Sequence, residues 1–401
     1  MDKRVLISGA SVAGPALAYW LGRSGYEVTV VERAPRLRDG GHAVDFRGAA
    51  HFNVLKRMGV LDELRDLQTH AGAMRFIDGH GNTKLFLPSE FAGGDLEVRR
   101  SDLARVLYQH SLPHAEYIFD DSISALDQRD DGVDVTFDRA DPRCFGLVIG
   151  ADGIRSNTRR LLFNQSFETY LGYCVAGWDT PDIRAIGAES VLLNSPGRMI
   201  GLTASGRDGS AGVLCVFAAP EDGAWRGGIA GHKAKLRETY CDLGWRVPEL
   251  LDTLDRTDDV FVSPVSRADP PNWSAGRVAL VGDAASGAAI GGMGTGMAII
   301  GAYVLAGELT LDPGNPSAAF ARYQQRLQAH VRAVIRSTSP GPFLAPRTAW
   351  GLWTRNALLN WPPCQRWLIR ESNRRTDIDV PVYPALPSPI ARCHQTTLQN
   401  A

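Results

Sequence analysis

The chain has 401 residues, 44% hydrophobic and 22% charged, and its 43 basic and 44 acidic side chains leave a net charge of −1. That balance excludes the basic excess that a nucleic-acid partner requires. The length suits two or three domain-sized units of roughly 150 residues each.

Lys3 to Ser8 reads as a short buried strand, and Gly9-Ala10-Ser11-Val12-Ala13-Gly14 as a turn. An apolar helix to about Ser24 follows, Gly25 ends it, and Tyr26 to Val31 is a second, β-branched strand. Because residues 4–9 begin a strand, no secretory leader is expected. Glu32 lies 23 residues after Gly9. A dinucleotide site needs this arrangement: free N–H groups at the helix start hold the pyrophosphate, and the acid accepts hydrogen bonds from a ribose. Ser11 replaces the middle glycine of GxGxxG, so a tight turn without a ligand stays open as the other reading. Arg33 either stacks near an adenine or is a solvated strand end.

Gly40-Gly41 and "HAVDFRG" (His42 to Gly48) follow. Asp45 and Arg47 there are candidate pocket residues, or else a salt-bridged loop. Residues 72–98 and about 170–270 alternate as strands do. They predict an antiparallel sheet in which Phe76, Phe86, Trp178 and Phe217 line a planar apolar pocket or are plain core. His110 and His114 are four apart with Pro113 between them, which argues against a helical metal pair, and no metal site is expected.

"CFGLVIGADGIRSNTRR" (Cys144 to Arg160) is a buried strand running into Ala151-Asp152-Gly153. Another buried strand, from Gly276, leads to Gly282-Asp283, a glycine-rich loop and a long apolar helix. The run Gly296 to Leu311 is broken by Glu308 and falls short of the ~20 residues a membrane span needs, so it reads as a buried helix. Ser317 to Ser337 is a helix rich in Arg and Gln. "SPGPFLAP" (Ser339 to Pro346) breaks it, and the next segment carries Trp350, Trp353 and Ala357 on one helical face, ended by Pro362-Pro363. Trp with Arg fits an interfacial membrane helix, but a lid packed over the pocket is preferred, since Trp350 and Trp353 want a core. From Asp377 the tail runs extended. Cys144, Cys174, Cys215, Cys241, Cys364 and Cys393 form no CxxC, so reduced thiols in a cytoplasmic protein are expected.

Three pieces stand roughly 140 and 130 residues apart: Gly9–Gly14 with Glu32-Arg33, then Asp152-Gly153, then Gly282-Asp283 with Gly292-Met293-Gly294. With "EVRRSDL" (Glu97 to Leu103), they make the chain resemble the single-component FAD-dependent aromatic hydroxylases of the para-hydroxybenzoate hydroxylase type. It is most similar to the branch of tetracycline-inactivating and antibiotic-tailoring monooxygenases, and the resemblance covers most of residues 3–335. It implies an α/β fold with a doubly wound, Rossmann-like FAD-binding domain (1–71, 99–169, 271–337). An antiparallel β-sheet substrate layer (72–98, 170–270) and a helical C-terminal lid and tail (338–401) complete it.

The resemblance also implies site roles. Gly9, Ser11, Val12, Ala13 and Gly14 would hold noncovalent FAD, Glu32 its adenosine ribose, and Arg100 would reach it, or else is a surface arginine at a helix start. Asp152 would support cofactor and nicotinamide handling, or else cap the next segment. Arg155 and Arg159 would make structural ion pairs. Asp283 would accept from the ribityl chain, and Gly292, Met293 and Gly294 would bring N–H groups to the flavin. The implied activity is NAD(P)H- and O2-dependent hydroxylation of an aromatic or polycyclic small molecule through a flavin C4a-hydroperoxide, with no side chain assigned as acid or base. The family's usual proline between Gly-Asp and Gly-x-Gly is absent from "DAASGAAIGGMG". A flavoprotein that keeps FAD as structure and serves as a non-redox cyclase or binding scaffold is the alternative.

Overall fold

A computed structural model of the chain describes residues 2–386 apart from 38–42, 71, 93, 185–186, 188, 205–209, 222–226, 289–293, 338–339 and 375–377. Its first sheet has six strands in the spatial order Ser274–Ala275, Val278–Leu280, Leu147–Gly150, Arg4–Ser8, Glu27–Glu32 and Ala115–Phe119. All pairs are parallel except the first. The central strand is buried from Val5 to Ser8, as a parallel strand covered on both faces must be.

On one face Val5, Ile7 and Ile149 pack with helices Ala13–Arg23, Arg100–Ser111 and Gly294–Leu311. On the other, Leu6, Val31, Val148 and Val278 meet a three-stranded antiparallel sheet, Ile123–Gln128, Val133–Phe137 and Arg143–Phe145. The second wall is therefore largely strand where a doubly wound domain would have helices. Val133, Val135 and Phe137 supply its apolar side, at period two.

Helix Gly294–Leu311 is long and apolar enough to cross a membrane, but 78% of it is buried in the molecule. Glu308, inside it, is buried yet satisfied. It accepts from Arg322 Nε and Arg326 Nε at 2.7 Å each and from the Tyr383 hydroxyl at 2.7 Å. Burial opposes its charge, but these donors together hold its carboxyl below the ordinary range. Tyr383 itself is buried, so the tail docks on the apolar helix.

The second sheet has eight strands, in the order Gly287–Ala288, Phe261–Ala268, Glu168–Arg184, Ser210–Ala218, Arg198–Ala204, Ser190–Ser195, Met74–Ile77 and Thr83–Leu87. It is antiparallel except where Ser190–Ser195 runs parallel to Met74–Ile77. There an earlier hairpin joins the sheet side by side with a later strand, so no tight turn sets the direction. Helices Gly228–Tyr240 and Val247–Arg256 cover one face. Helices Pro340–Leu344, Ala349–Leu359 and Pro362–Arg374 cover the other. Pro362-Pro363 ends one helix as expected and also opens a new one, because a proline at the first helical position lacks only an N–H that would be unpaired anyway. Arg267 and Ala268 pair with Ala288 and Gly287, which joins this sheet to the loop after Asp283.

Candidate functional site

The carboxyl ends of the parallel strands gather the three glycine-containing turns in one place. Such an edge is where open α/β sheets bind ligands. Gly9 has φ +109, and a Cβ there would sit 2.5 Å from the Ala151 carbonyl oxygen. A Cβ on Gly14 would overlap the Gly9 carbonyl oxygen. The two glycines let the turn fold against both the next strand end and its own helix. No side chain caps that helix, and its first turn carries no acid. Its leading N–H groups are thus available to an anion.

Glu32 spans the turn. Its Oε2 accepts from Ala10 N–H at 2.8 Å and its Oε1 from Ala34 N–H at 3.0 Å, leaving acceptor capacity on both oxygens. Arg33 is exposed at the strand end. Arg100 Nη2 donates to Ser11 Oγ at 3.1 Å. Ser11 thus holds the guanidinium at the mouth of the turn, a use for the hydroxyl that a glycine could not supply.

Asp283 lies in the turn Gly282–Ala284, where Gly282 has φ +63. A Cβ on Gly287 would come within 2.6 Å of Asp283 Oδ1, and one on Gly294 within 3.4 Å. No described residue donates a hydrogen bond to this carboxylate. Burial pushes its carboxyl above the ordinary value, against the pull of Arg100 and Arg159. The Ser286 hydroxyl is also buried without a partner among the described residues. An uncapped helix start, a guanidinium beside it with no ion pair among the described residues, and a carboxylate lacking donors among them match a ligand with a diphosphate and hydroxyls, as FAD has. Gly292 and Met293 lie outside the described residues, and Gly294 opens the apolar helix.

Three further residues have partners within the protein. Asp152 accepts from Ser156 Oγ at 2.5 Å and from Thr158 N–H and Oγ1 at 2.8 and 2.9 Å. Ser156 is the N-cap of helix Asn157–Phe163, its Oγ accepting from Arg159 N–H, and Asp152 supports that cap through Oδ1 and takes the Thr158 N–H on Oδ2. Arg155 stands 3.9 Å from Glu168. Arg159 makes no ion pair among the described residues: it is fully buried and donates to the carbonyls of Ser166, Ile154 and Ala284. Through Ala284 it clamps the Asp283 turn, a link no sequence spacing signals.

Asp45 and Arg47 form the salt-bridged loop. Arg47 Nε donates to Asp45 Oδ2 at 2.6 Å, and its terminal nitrogens donate to the carbonyls of Glu90 and Phe91. Strand pairing sets Asp45 opposite Glu97. Burial foremost, with repulsion from Asp45, pushes the Glu97 carboxyl up to about 7, although Thr69 donates to it. Carboxylates raised this way favour folding below about pH 4.5 and lose that contribution as pH rises through 7. Glu97→Gln is therefore expected to raise stability at about pH 8, by about 1–2 kcal/mol after discounting for partial exposure. The gain should vanish near pH 5, where thermal unfolding of both proteins should coincide. His51 was not anticipated. It is buried, its Nδ1 accepts from Arg47 N–H at 3.3 Å, and its Nε2 has no partner among the described residues. A Cβ on Gly296 would overlap that nitrogen, so His51 abuts the start of the apolar helix, and burial pushes its pKa down to about 4.

The aromatic pocket candidates resolve as core or surface. Trp178 and Phe217 are buried under the helices of the outer face, with Trp178 Nε1 donating to Thr253 at 2.9 Å. Phe76 faces the other way, buried beneath the Arg355 guanidinium, which sits 4.6 Å from its ring centroid. Phe86, between inward Leu85 and Leu87 on the edge strand, is exposed. Period-two alternation dictates all four. Trp350 and Trp353 are exposed as well. The helix carrying them does cover the sheet, but it turns Arg355, Asn356 and Leu359 inward. Leu171, Leu214, Phe91 and Phe343 are among the half-buried apolar side chains packed on that sheet face. A groove of about 650 Å³ lined by Arg4, Glu27, His114, Glu116 and Arg143 lies at the opposite, amino-terminal edge.

The family model described as "FAD binding domain" matches residues 2–225. A protein of Mycobacterium tuberculosis described as uncharacterized is 39% identical over 82% of this chain and 91% of its own length. A flavin-dependent monooxygenase from an unknown prokaryotic organism is 32% identical over 92% of this chain and 94% of its own. The crystal structure of the tetracycline destructase Tet(51) superposes with a TM-score of 0.80 at 30% identity, covering 95% of this chain and 98% of that one.

Proposed function

The chain belongs to the FAD-binding-domain family and is an FAD-dependent monooxygenase, and from that premise we propose that it uses NAD(P)H and O2 to hydroxylate an aromatic or polycyclic small molecule. The observation that carries the reading is the convergence of the Gly9–Gly14 turn, Glu32, Arg100 and Asp283 on one edge of the parallel sheet. When bound, FAD supplies the redox chemistry, taking hydride from a nicotinamide and passing one oxygen atom of O2 to the substrate.

The chain's own residues bind and orient. The helix start at Val12, Ala13 and Gly14 takes the diphosphate, with Arg100 as its counter-charge. Glu32 accepts from the adenosine ribose and Asp283 from the ribityl hydroxyls. Asp152 acts at one remove, by holding the Ala151–Gly153 turn through its cap. Arg159 keeps the Asp283 turn in place. The apolar sheet face with Leu171, Leu214, Phe91 and Phe343 receives the substrate rings and keeps water out. The tetracycline destructase likeness supports a polycyclic substrate.

The expected result is a yellow protein with one FAD per chain, released by acid precipitation. A substrate from a panel of polycyclic phenols should stimulate NAD(P)H oxidation, and the product should carry one labelled atom from ¹⁸O2. Conversion of a substrate without reductant consumption would instead establish the non-redox alternative.

A further inference from the structure

Helix Ala349–Leu359 is fixed in an orientation opposite to the usual rule. Its guanidinium goes inward: Arg355 donates to the Phe343 carbonyl and to Asn194 Oδ1 at 2.7 Å each and lies over the Phe76 ring. Its indoles go outward. Trp350, Trp353 and Trp361 are 73%, 67% and 62% exposed, and Trp367 on the next helix is 60% exposed. Residues 350, 353 and 357 form one stripe of the helix, roughly 10 Å long at 1.5 Å per residue, and Trp361 follows just past its end.

The helices are not loosely placed. Leu359, Cys364 and Leu368 pack into the sheet's apolar cluster. Asn360 Nδ2 donates to the Lys84 carbonyl at 2.8 Å, and Gln365 Nε2 donates to the Phe86 carbonyl at 2.9 Å. Both inward faces meet the same sheet face, so both outward faces look away from it together. The four indoles leave on the order of 500 Å² of mostly apolar surface in water, as large as the biggest patch of an ordinary monomer.

The charge around this patch is one-sided. Residues 347–374 hold five arginines and one acid, Glu371, in a chain whose net charge is −1. Arg366, Arg370 and Arg374 are exposed and recur every four residues beside Trp367. The geometry points to an anionic phospholipid surface as the partner of this face. Indoles favour the headgroup level, where the ring is sheltered and the N–H stays wet. Arginines pair with lipid phosphates. At 11 and 13 residues the two helices are far below the ~20 of a span, so the face lies on the bilayer and does not cross it.

The test is co-sedimentation of the full FAD-loaded protein with vesicles of phosphatidylcholine alone or mixed equally with phosphatidylglycerol. The parent should pellet with the anionic vesicles, lose most of that binding in high salt, and stay in solution with phosphatidylcholine. The triple variant Trp350→Ser, Trp353→Ser, Trp361→Ser and the charge variant Arg366→Glu, Arg370→Glu should each bind at least roughly tenfold more weakly, with FAD content unchanged. Should the triple variant misfold, the charge variant decides. No pelleting of the parent, or equal binding by a folded variant, overturns the proposal. So does a concentration-dependent dimer that the triple variant abolishes, which would assign the face to a second copy of the chain.

Discussion

Gly14→Ala is expected to strip FAD from the protein and to cost the fold at least about 3 kcal/mol, the upper range for overpacking. Helix propensity alone points the other way, since alanine is favoured over glycine by ~1 kcal/mol inside a helix. The clash wins, because the new methyl would overlap the Gly9 carbonyl oxygen, and that atom is backbone with nowhere to turn. Relief requires the helix to lift off the turn, which moves the very N–H groups proposed to face the diphosphate. Gly22, in the same helix, separates fold from cofactor. A Cβ there would overlap the His114 carbonyl oxygen, at the helix end away from the turn. Gly22→Ala should therefore lower the unfolding temperature yet retain FAD, while Gly14→Ala should hold less than roughly a tenth of the parent's FAD at equal concentration. Parent-like FAD affinity in Gly14→Ala would place the diphosphate elsewhere.

Asp283→Ala should change cofactor binding and apoprotein stability in opposite directions. In the holoprotein its proposed charge-assisted hydrogen bonds to FAD would be worth about 1.5–3 kcal/mol, so their loss should weaken FAD binding roughly ten- to a hundredfold. In the apoprotein the same carboxylate stands half-buried with no donor among the described residues, and desolvation raises its pKa. A raised acid contributes most below its unfolded pKa and destabilises once ionised, so near neutral pH alanine should raise the apoprotein's melting temperature. Asp283→Asn, which keeps a polar side chain without the charge, should fall between the two in FAD affinity. Fluorescence titration of apoprotein with FAD and melting curves without FAD measure the two signs. A lower apoprotein melting temperature together with unchanged FAD affinity would make Asp283 a structural residue.

Much of the cofactor site was legible in the sequence, because its parts are local. A strand, a glycine turn, a helix and an acid at fixed spacing can be recognised without knowing what packs on them. The turn needs Gly9 for its positive φ and Gly14 for the close approach, and Glu32 follows from the length of one βαβ unit. Gly282-Asp283 was likewise readable at the end of a buried strand, and the apolar run broken by Glu308 was read as a buried helix, as Gly294–Leu311 is.

What only the tertiary structure decided is which face each side chain took and which distant groups met. Alternation predicts strands, but it does not say which of two covered faces holds a pocket, so Trp178 and Phe217 fell under the outer helices. Asp152 had two readings, and its hydrogen bonds to Ser156 and Thr158 at the start of Asn157–Phe163 follow from three-dimensional position. Arg159, His51 and the Asp45–Glu97 pairing owe their environments to contacts across long stretches of chain. The rotation of helix Ala349–Leu359 shows this most clearly. Its tryptophans are its most apolar residues, which argued for burial, yet the Phe76 ring, the Asn194 amide and the Phe343 carbonyl form a better inner site for Arg355, and the indoles are turned to the outside.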